Sequence, residues 1–169
     1  MEMNLTLESI IEFLLDVEMF SSLSVAELSE MVSIMDIQQF QVGEHVFSEG
    51  DIGDGWYVLN KGLVTVQKRT PFHPDQSVAE LGKGCCFGEM ALLDDAPRSA
   101  TVTVLEPVLA FRFSRRRFLR LLHENSIGAY KLVYGMACIL AERQRRLNRQ
   151  FTELQREIEA IDDESFQIA

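Results

Sequence analysis

The sequence predicts a mainly β domain, a small barrel or two-sheet jelly roll, flanked by helices at both ends. Three observations carry this. Apolar residues recur at helical spacing before about residue 35, short Val-, Phe- and Tyr-rich runs punctuated by glycine follow from about Asp36 to Ser114, and the helical period returns after Ser114.

In the first segment Leu7, Ile10, Ile11, Leu14 and Leu15 give one apolar helix face. Ser24-Val25-Ala26-Glu27 has the form of a capping box, in which the Ser hydroxyl and Glu carboxylate satisfy orphan N–H groups. A second helix therefore starts there, with Leu28, Met31 and Val32 on one face.

The β region is broken by Gly43, Gly50, Gly53, Gly55, Gly62, Gly82, Gly84 and Gly88. Val58-Leu59, Asn60-Lys61-Gly62 and Leu63-Val64-Thr65-Val66 read as strand, tight turn, strand, with Gly62 supplying a positive φ. Ala100–Val104 and Val108–Phe113 read as two more strands, joined by a turn at Glu106-Pro107. Thr70-Pro71-Phe72-His73-Pro74-Asp75 reads as a surface loop, because its prolines exclude a central strand.

Phe118, Leu119, Leu121 and Leu122 fall on a short helix closed by His123 and Glu124, and Asn125 or Ser126 caps a long one. Its apolar positions are Val133, Met136, Ala137 and Leu140, then Leu147, Phe151, Leu154, Ile158 and Ile161. The last five step by four and three alternately, as in a coiled-coil seam, with Glu153, Arg156, Glu157 and Glu159 on the outer face. Gly135 and Gln144 weaken the first half of that seam. The simplest partner is a second copy of the chain, and the alternative is that the helix folds back on its own domain. The expected division is 1–35 for an N-terminal helical segment, 36–124 for the β domain with its short helix, and 125–169 for the long helix.

With 169 residues, 47% hydrophobic and 25% charged, the chain has an ordinary globular profile. A net charge of −10 repels nucleic-acid phosphates and argues against DNA or RNA as partner. Three cysteines, with Cys85 and Cys86 adjacent and Cys138 far along, make no disulfide framework and no zinc spacing. The amino-terminal stretch lacks the Lys or Arg that opens a signal peptide, and no apolar run is long enough to span a bilayer. A cytoplasmic protein without a membrane partner is expected.

The informative segment is Phe87-Gly88-Glu89-Met90-Ala91-Leu92-Leu93-Asp94-Asp95-Ala96-Pro97-Arg98-Ser99-Ala100-Thr101-Val102. A strand ends at Phe87, and Gly88 lets the backbone approach a ligand closely. Glu89 to Leu93 can form one helical turn whose N–H groups favour an anion. Arg98 supplies a forked cation suited to phosphate oxygens, and Ser99 a hydroxyl donor. Glu89 fits such a site if the ligand also offers a hydroxyl, such as a ribose 2′-OH, because the carboxylate penalises ligands lacking it. The competing reading is a structural Glu89–Arg98 salt bridge across a turn. It loses because the glycine, the helix start, the arginine and the serine occur together.

This segment closely resembles the phosphate-binding cassette of the cyclic nucleotide-binding domain family, which includes the bacterial catabolite activator protein and regulatory subunits of cyclic-AMP-dependent protein kinase. Phe47-Ser48-Glu49-Gly50-Asp51 and Trp56–Gly62, with Val64 and Val66, look like the strands before the cassette, so the likeness runs roughly from Phe20 to Arg146. It implies an eight-stranded β-roll, a jelly-roll-like double-stranded β-helix, with N-terminal helices and a long C-terminal helix. Gly88 and Glu89 would meet the ribose 2′-hydroxyl, while Arg98 and the backbone around Met90, Ala91 and Ser99 would hold the cyclic phosphate. The long helix would close over the base and, as in catabolite-activator-like members, form a homodimer. Aligning it through Met136 and Leu140 places Arg143 and Gln144 at the base, where the activator has two small hydroxyl residues. Arg143 there either stacks on the base or is a solvated charge beside Arg145 and Arg146. Ser99 does not separate adenine from guanine. Cyclic AMP is expected on family frequency, with cyclic GMP the other candidate, and no cofactor or metal is implied.

The resulting expectation is a non-enzymatic sensor that signals through its long helix to a separate protein. A scaffold that has lost its ligand is one alternative. A cupin-like metalloenzyme is another, but it needs clustered histidines, and His45, His73 and His123 are scattered. Activator-type members continue into a helix-turn-helix domain. About twenty residues follow Asn148 here, ending near Asp162-Asp163-Glu164, too few for a domain of even ~50 residues. The chain therefore reads as an input half without its output half.

Overall fold

The computed structural model describes residues 5–70, 76–94 and 96–166 and, of these, the side chains through Arg156 except that of Ala91. Most of the expected 70–75 loop, Asp95, and the side chains of Glu157, Ile158, Glu159, Ile161 and Asp162–Glu164 lie outside the described residues.

Helix α1 spans Leu7–Leu15, capped by the Thr6 hydroxyl, which accepts from the Ser9 N–H at 3.2 Å. A 3-10 turn at Glu18–Phe20 buries Met19 and Phe20. Helix α2, Val25–Ser33, starts with the expected capping box: the Glu27 N–H donates to Ser24 Oγ at 3.3 Å, and the Ser24 N–H to Glu27 Oε2 at 2.7 Å. Ile10, Leu14, Leu28 and Met31 face inward and join one apolar cluster with Trp56, Phe111, Phe113 and Phe118.

Six strands follow: β1 Met35–Phe40, β2 His45–Phe47, β3 Gly55–Lys68, β4 Gln76–Leu81, β5 Cys86–Phe87 and β6 Thr101–Ser114. The spine is the antiparallel ribbon of β3 and β6, in register from Gly55↔Ser114 to Gln67↔Thr101. Its first half carries β1 on the β6 side and β5 on the β3 side. Its second half carries β2 and β4 in the corresponding places. Each long strand thus serves as two arms, and the eight arms form the expected β-roll.

The corner between the halves corrects the two turns read at Asn60–Gly62 and Glu106-Pro107. Neither is a chain reversal. They face one another inside continuous strands, where the register slips between Leu59 and Val64. Gly62 has φ +94°, and a Cβ there would lie 2.4 Å from the Pro107 carbonyl oxygen. Two facing irregularities bend both strands together, as bulges do, and a proline is tolerated where the ladder is already interrupted.

The arms that β3 and β6 contribute to the first half are buried on both faces. Trp56 and Val58 point into the helical cluster, while Tyr57 and Leu59 join Val64, Phe87, Val102, Val104, Val108 and Ala110 inside the roll. This explains the unbroken apolar run Trp56-Tyr57-Val58-Leu59, which lacks the alternation of a half-exposed strand.

After the short α3, Met90–Leu93, the chain ends in α4, Arg115–His123, and α5, Ile127–Phe166. Ser126 is the α5 cap, its hydroxyl accepting from the Ala129 N–H at 3.1 Å, and Asn125 takes the left-handed conformation before it. The docked face of α5 is Ala129, Leu132 and Met136, with Val133 and Ile139 at its margin. Ala137, expected on that face, is exposed. From Ala141 to Arg156 every residue is exposed, including Leu147, Phe151 and Leu154. The described part of the seam is therefore uncovered rather than folded back. Among the described residues no helix is long and apolar enough to cross a membrane.

Candidate ligand-binding site

A cavity of ≈ 820 Å³ lies against the segment Phe87–Val102. Gly88, Glu89, Met90, Arg98 and Ser99 line it, with Val66, Val78 and Leu81 from β3 and β4, and Arg143, Arg146 and Leu147 from α5. The volume is within the ~300–1,000 Å³ of small-molecule sites.

Arg98 is held by backbone at both levels. Its N–H donates to the Asp51 carbonyl at 2.8 Å, and its carbonyl accepts from the Gly50 N–H at 2.9 Å. Its guanidinium, nearly all of it buried, donates through Nη2 to the Gly55 carbonyl at 2.7 Å and through Nη1 to the Gly88 carbonyl at 2.9 Å. Asp54 Oδ1 stands 3.5 Å away, and the cation sits 4.1 Å above the centre of the Phe47 ring. Burial pulls the Arg98 pKa down, yet arginine stays protonated under any ordinary condition. Nε is buried and has no hydrogen-bond partner among the described residues.

The sequence expectation for Gly88 is room for a ligand. Its φ is +76°, and the nearest atom to an added Cβ is Arg98 Nη1, at 2.7 Å. The glycine therefore admits the arginine. Beneath, Tyr57 and Phe87 stack with centroids 5.3 Å apart, and Phe47 packs on both at 5.9–6.0 Å. That stack fixes the ring under the guanidinium.

Glu89 is 3% exposed, and its carboxylate pairs with Arg143 of α5. The alternative Glu89–Arg98 bridge does not form. The expected helical turn does, as α3, with the Leu92 N–H returning to the Glu89 carbonyl at 3.0 Å. Met90 is half-exposed and Ser99 exposed on the cavity wall, while Ala91 lies in α3. Gln144 does not line the cavity. It donates to Asn148 Oδ1 at 3.0 Å along the exposed side of α5, because one residue step turns it about 100° from Arg143.

Sequence reasoning missed Phe47 and the Gly55 carbonyl as supports of Arg98, and Arg146 and Leu147 on the wall. The last two follow from helical geometry, being three and four residues past Arg143. The first two carry no local signal. Cys86 also lines the cavity, and burial pushes its thiol well above the usual range, which removes it as a nucleophile. Among the described residues no three His, Cys, Asp or Glu side chains group as metal ligands.

The site thus offers an anion a buried forked cation whose Nε is without a partner among the described residues, and offers a hydroxyl a buried carboxylate. Residues 37–125 match the family model described as cyclic nucleotide-binding domain. The chain is 35% identical over 111 residues to the cAMP-dependent protein kinase regulatory subunit of Debaryomyces hansenii, a match covering 66% of this chain and 24% of that protein. It therefore spans about a quarter of that relative's length. The crystal structure of Thermus thermophilus catabolite activator protein superposes with a TM-score of 0.73 at 26% identity, over 82% of this chain and 63% of that one. A cyclic nucleotide-binding domain from Methylobacillus flagellatus gives 0.73 at 28% identity, over 82% and 78%. With just over half its length matched by the family model and its β-roll shared with solved members, the chain belongs to the cyclic nucleotide-binding domain family.

Proposed function

We propose that this chain is a non-enzymatic sensor that binds cyclic AMP in the 820 Å³ cavity and passes the signal on through α5. The carrying observation is the pairing of two buried, oppositely charged groups on one cavity: Arg98, with its Nε unpartnered, and Glu89. A phosphate oxygen supplies the missing acceptor to Arg98, and a ribose 2′-hydroxyl donates to Glu89. Gly88 and the turn at Met90 and Ala91 frame the phosphate, and Ser99 adds a donor. The choice of cyclic AMP over cyclic GMP is supported by the resemblance to regulatory subunits of a cAMP-dependent kinase.

Arg143, Arg146 and Leu147 bring α5 to the cavity wall, where a base extending from the ribose would meet them. Filling the cavity then favours one position of α5 over others, a population shift read by a partner. Exposed Leu147, Phe151 and Leu154 support pairing of α5 with a second copy of the chain. The expected setting is the cytoplasm, with a separately encoded protein as listener.

The test is calorimetric titration of the chain with cyclic AMP, cyclic GMP and inorganic phosphate, followed by sizing with and without the tighter nucleotide. Saturable binding of cyclic AMP, tighter than cyclic GMP and far tighter than phosphate, is expected, with a dimer in at least one state. No heat from either nucleotide overturns the sensor, and a monomer throughout overturns the seam.

A further inference from the structure

Leu132 and Met136 are buried against the domain and Leu140 is half-buried, whereas Leu147, Phe151 and Leu154 are exposed. Their spacing, in helical steps of three, four or seven residues, puts all six along one stripe of α5. The face that seats the root of the helix on its own domain is therefore the face that carries the uncovered apolar residues.

Sharing one face decides the direction a partner helix can take. In a parallel pair both roots lie at the same end, and each root would have to run through the space where the other domain is seated. In an antiparallel pair each helix reaches only to the point, near Leu140, where the other turns onto its domain. The free length from Ala141 to Phe166 is about 39 Å. Laying Leu147 opposite Ile158 of a second copy, and Phe151 opposite Leu154, matches two such lengths to within a turn.

Charge points the same way. Residues 143–149 hold Arg143, Arg145, Arg146 and Arg149 and no acid, while residues 157–164 hold Glu157, Glu159, Asp162, Asp163 and Glu164 and no base. The antiparallel register lays the basic block beside the acidic one. A parallel pair lays each block beside its own kind.

We propose that α5 pairs with a second copy of this chain in the antiparallel sense, so that the acidic end of one helix lies beside the cavity of the other. The inference rests on the self-pairing of α5 in the proposed function. Arg143, Arg146 and Leu147 line the cavity, and residues 158–162 of the second copy come alongside them. Each cavity is then completed by both copies.

The experiment is pulsed electron paramagnetic resonance on a chain with Cys85→Ser, Cys86→Ser and Cys138→Ser and one nitroxide, at Thr152→Cys or at Glu142→Cys, both exposed positions. At residue 152 the two labels are expected on helices about 10 Å apart and nearly level. At residue 142 they are expected ~32 Å apart along the axis. Short distances at both positions mean a parallel pair and overturn the proposal. Cys86 is buried, so a second measurement uses the unaltered chain: sedimentation equilibrium in about 0.05 M and about 0.5 M salt. Screening weakens attraction between unlike blocks, so the dimer Kd is expected to rise several-fold with salt. A Kd that falls with salt reports repulsion of like blocks and overturns the antiparallel register. A monomer under every condition overturns the self-pairing itself, an outcome distinct from a parallel dimer.

Discussion

Replacing Arg98 by alanine removes a structural tie as well as the proposed ligand anchor, and the two losses can be measured apart. The guanidinium joins the Gly55 and Gly88 carbonyls, which start β3 and follow β5, and it covers the Phe47 ring. Leaving a buried carbonyl without its donor costs roughly 1–3 kcal/mol, less where water can enter beside the half-buried Gly88. The lost cation–π contact adds about 0.5–2 kcal/mol. Removing a desolvated cation returns part of this, since burial is the first cause lowering the Arg98 pKa. The net loss is on the order of 2–4 kcal/mol, out of the ~5–15 kcal/mol that holds a domain folded. For a chain of this size that lowers Tm by roughly 4–16 °C. Thermal and urea denaturation without nucleotide reads this term. Titration at a temperature where the variant is folded reads the other, a Kd raised roughly 10- to 150-fold for a phosphate contact of ~1.5–3 kcal/mol. Arg98→Lys keeps the charge but cannot bridge two carbonyls, so its stability should stay nearer to alanine than to arginine. A Tm for Arg98→Ala within about 1 °C of the unaltered chain would refute the bridging role.

The corner of the roll predicts unequal costs for two similar substitutions. Gly62→Ala, with φ +94° and a backbone oxygen 2.4 Å from the new Cβ, should cost about 2–5 kcal/mol. Gly43→Ala, with φ +86° and nothing within 4 Å, should cost only about 1–2 kcal/mol, and equal urea midpoints would count against the corner. The α2–α5 contact predicts an acid sensitivity. The Lys131 ammonium and the Ser24 N–H hold the Glu27 carboxyl down at about 2, against 4.5 for a free one. Between pH 4.5 and about 2 the unfolded chain takes up a proton that the folded chain refuses, so this contribution is whole above pH 4.5 and lost as pH falls toward 2. Glu27→Gln should flatten stability across that window, and an unchanged slope would count against the ion pair.

What was legible in the sequence was what is close in the sequence. The capping box needs only Ser24 and Glu27, and the order Gly88, Glu89, Arg98, Ser99 falls within one short segment. The corner was not legible for the same reason. A glycine at positive φ and a proline are the residues of a reversal and equally of a bulge. What separates the two is the pairing of Lys61 with Leu109 across the ladder, nearly fifty residues away. The supports of Arg98 escaped for a second cause. Two of them are carbonyl oxygens, which every residue carries, so no residue type marks them.

The partner choice of Glu89 and Arg98 shows why that hidden part matters. Had the two paired with each other, as charge and spacing alone permit, each would have satisfied its neighbour and an entering anion would have had to break a buried bridge. Instead the arginine is held mainly by neutral carbonyls, which orient its fork without cancelling its charge. Its nearest acid, Asp54, is 63% exposed and is shared with Arg112, so it screens the cation weakly. The glutamate meanwhile takes its counter-charge from α5. The segment therefore keeps a net positive end for phosphate and an oriented acceptor for a hydroxyl, and it does so only while the long helix lies where Arg143 can reach. Under the proposed function recognition and helix position form one equilibrium, since the same carboxylate belongs to both.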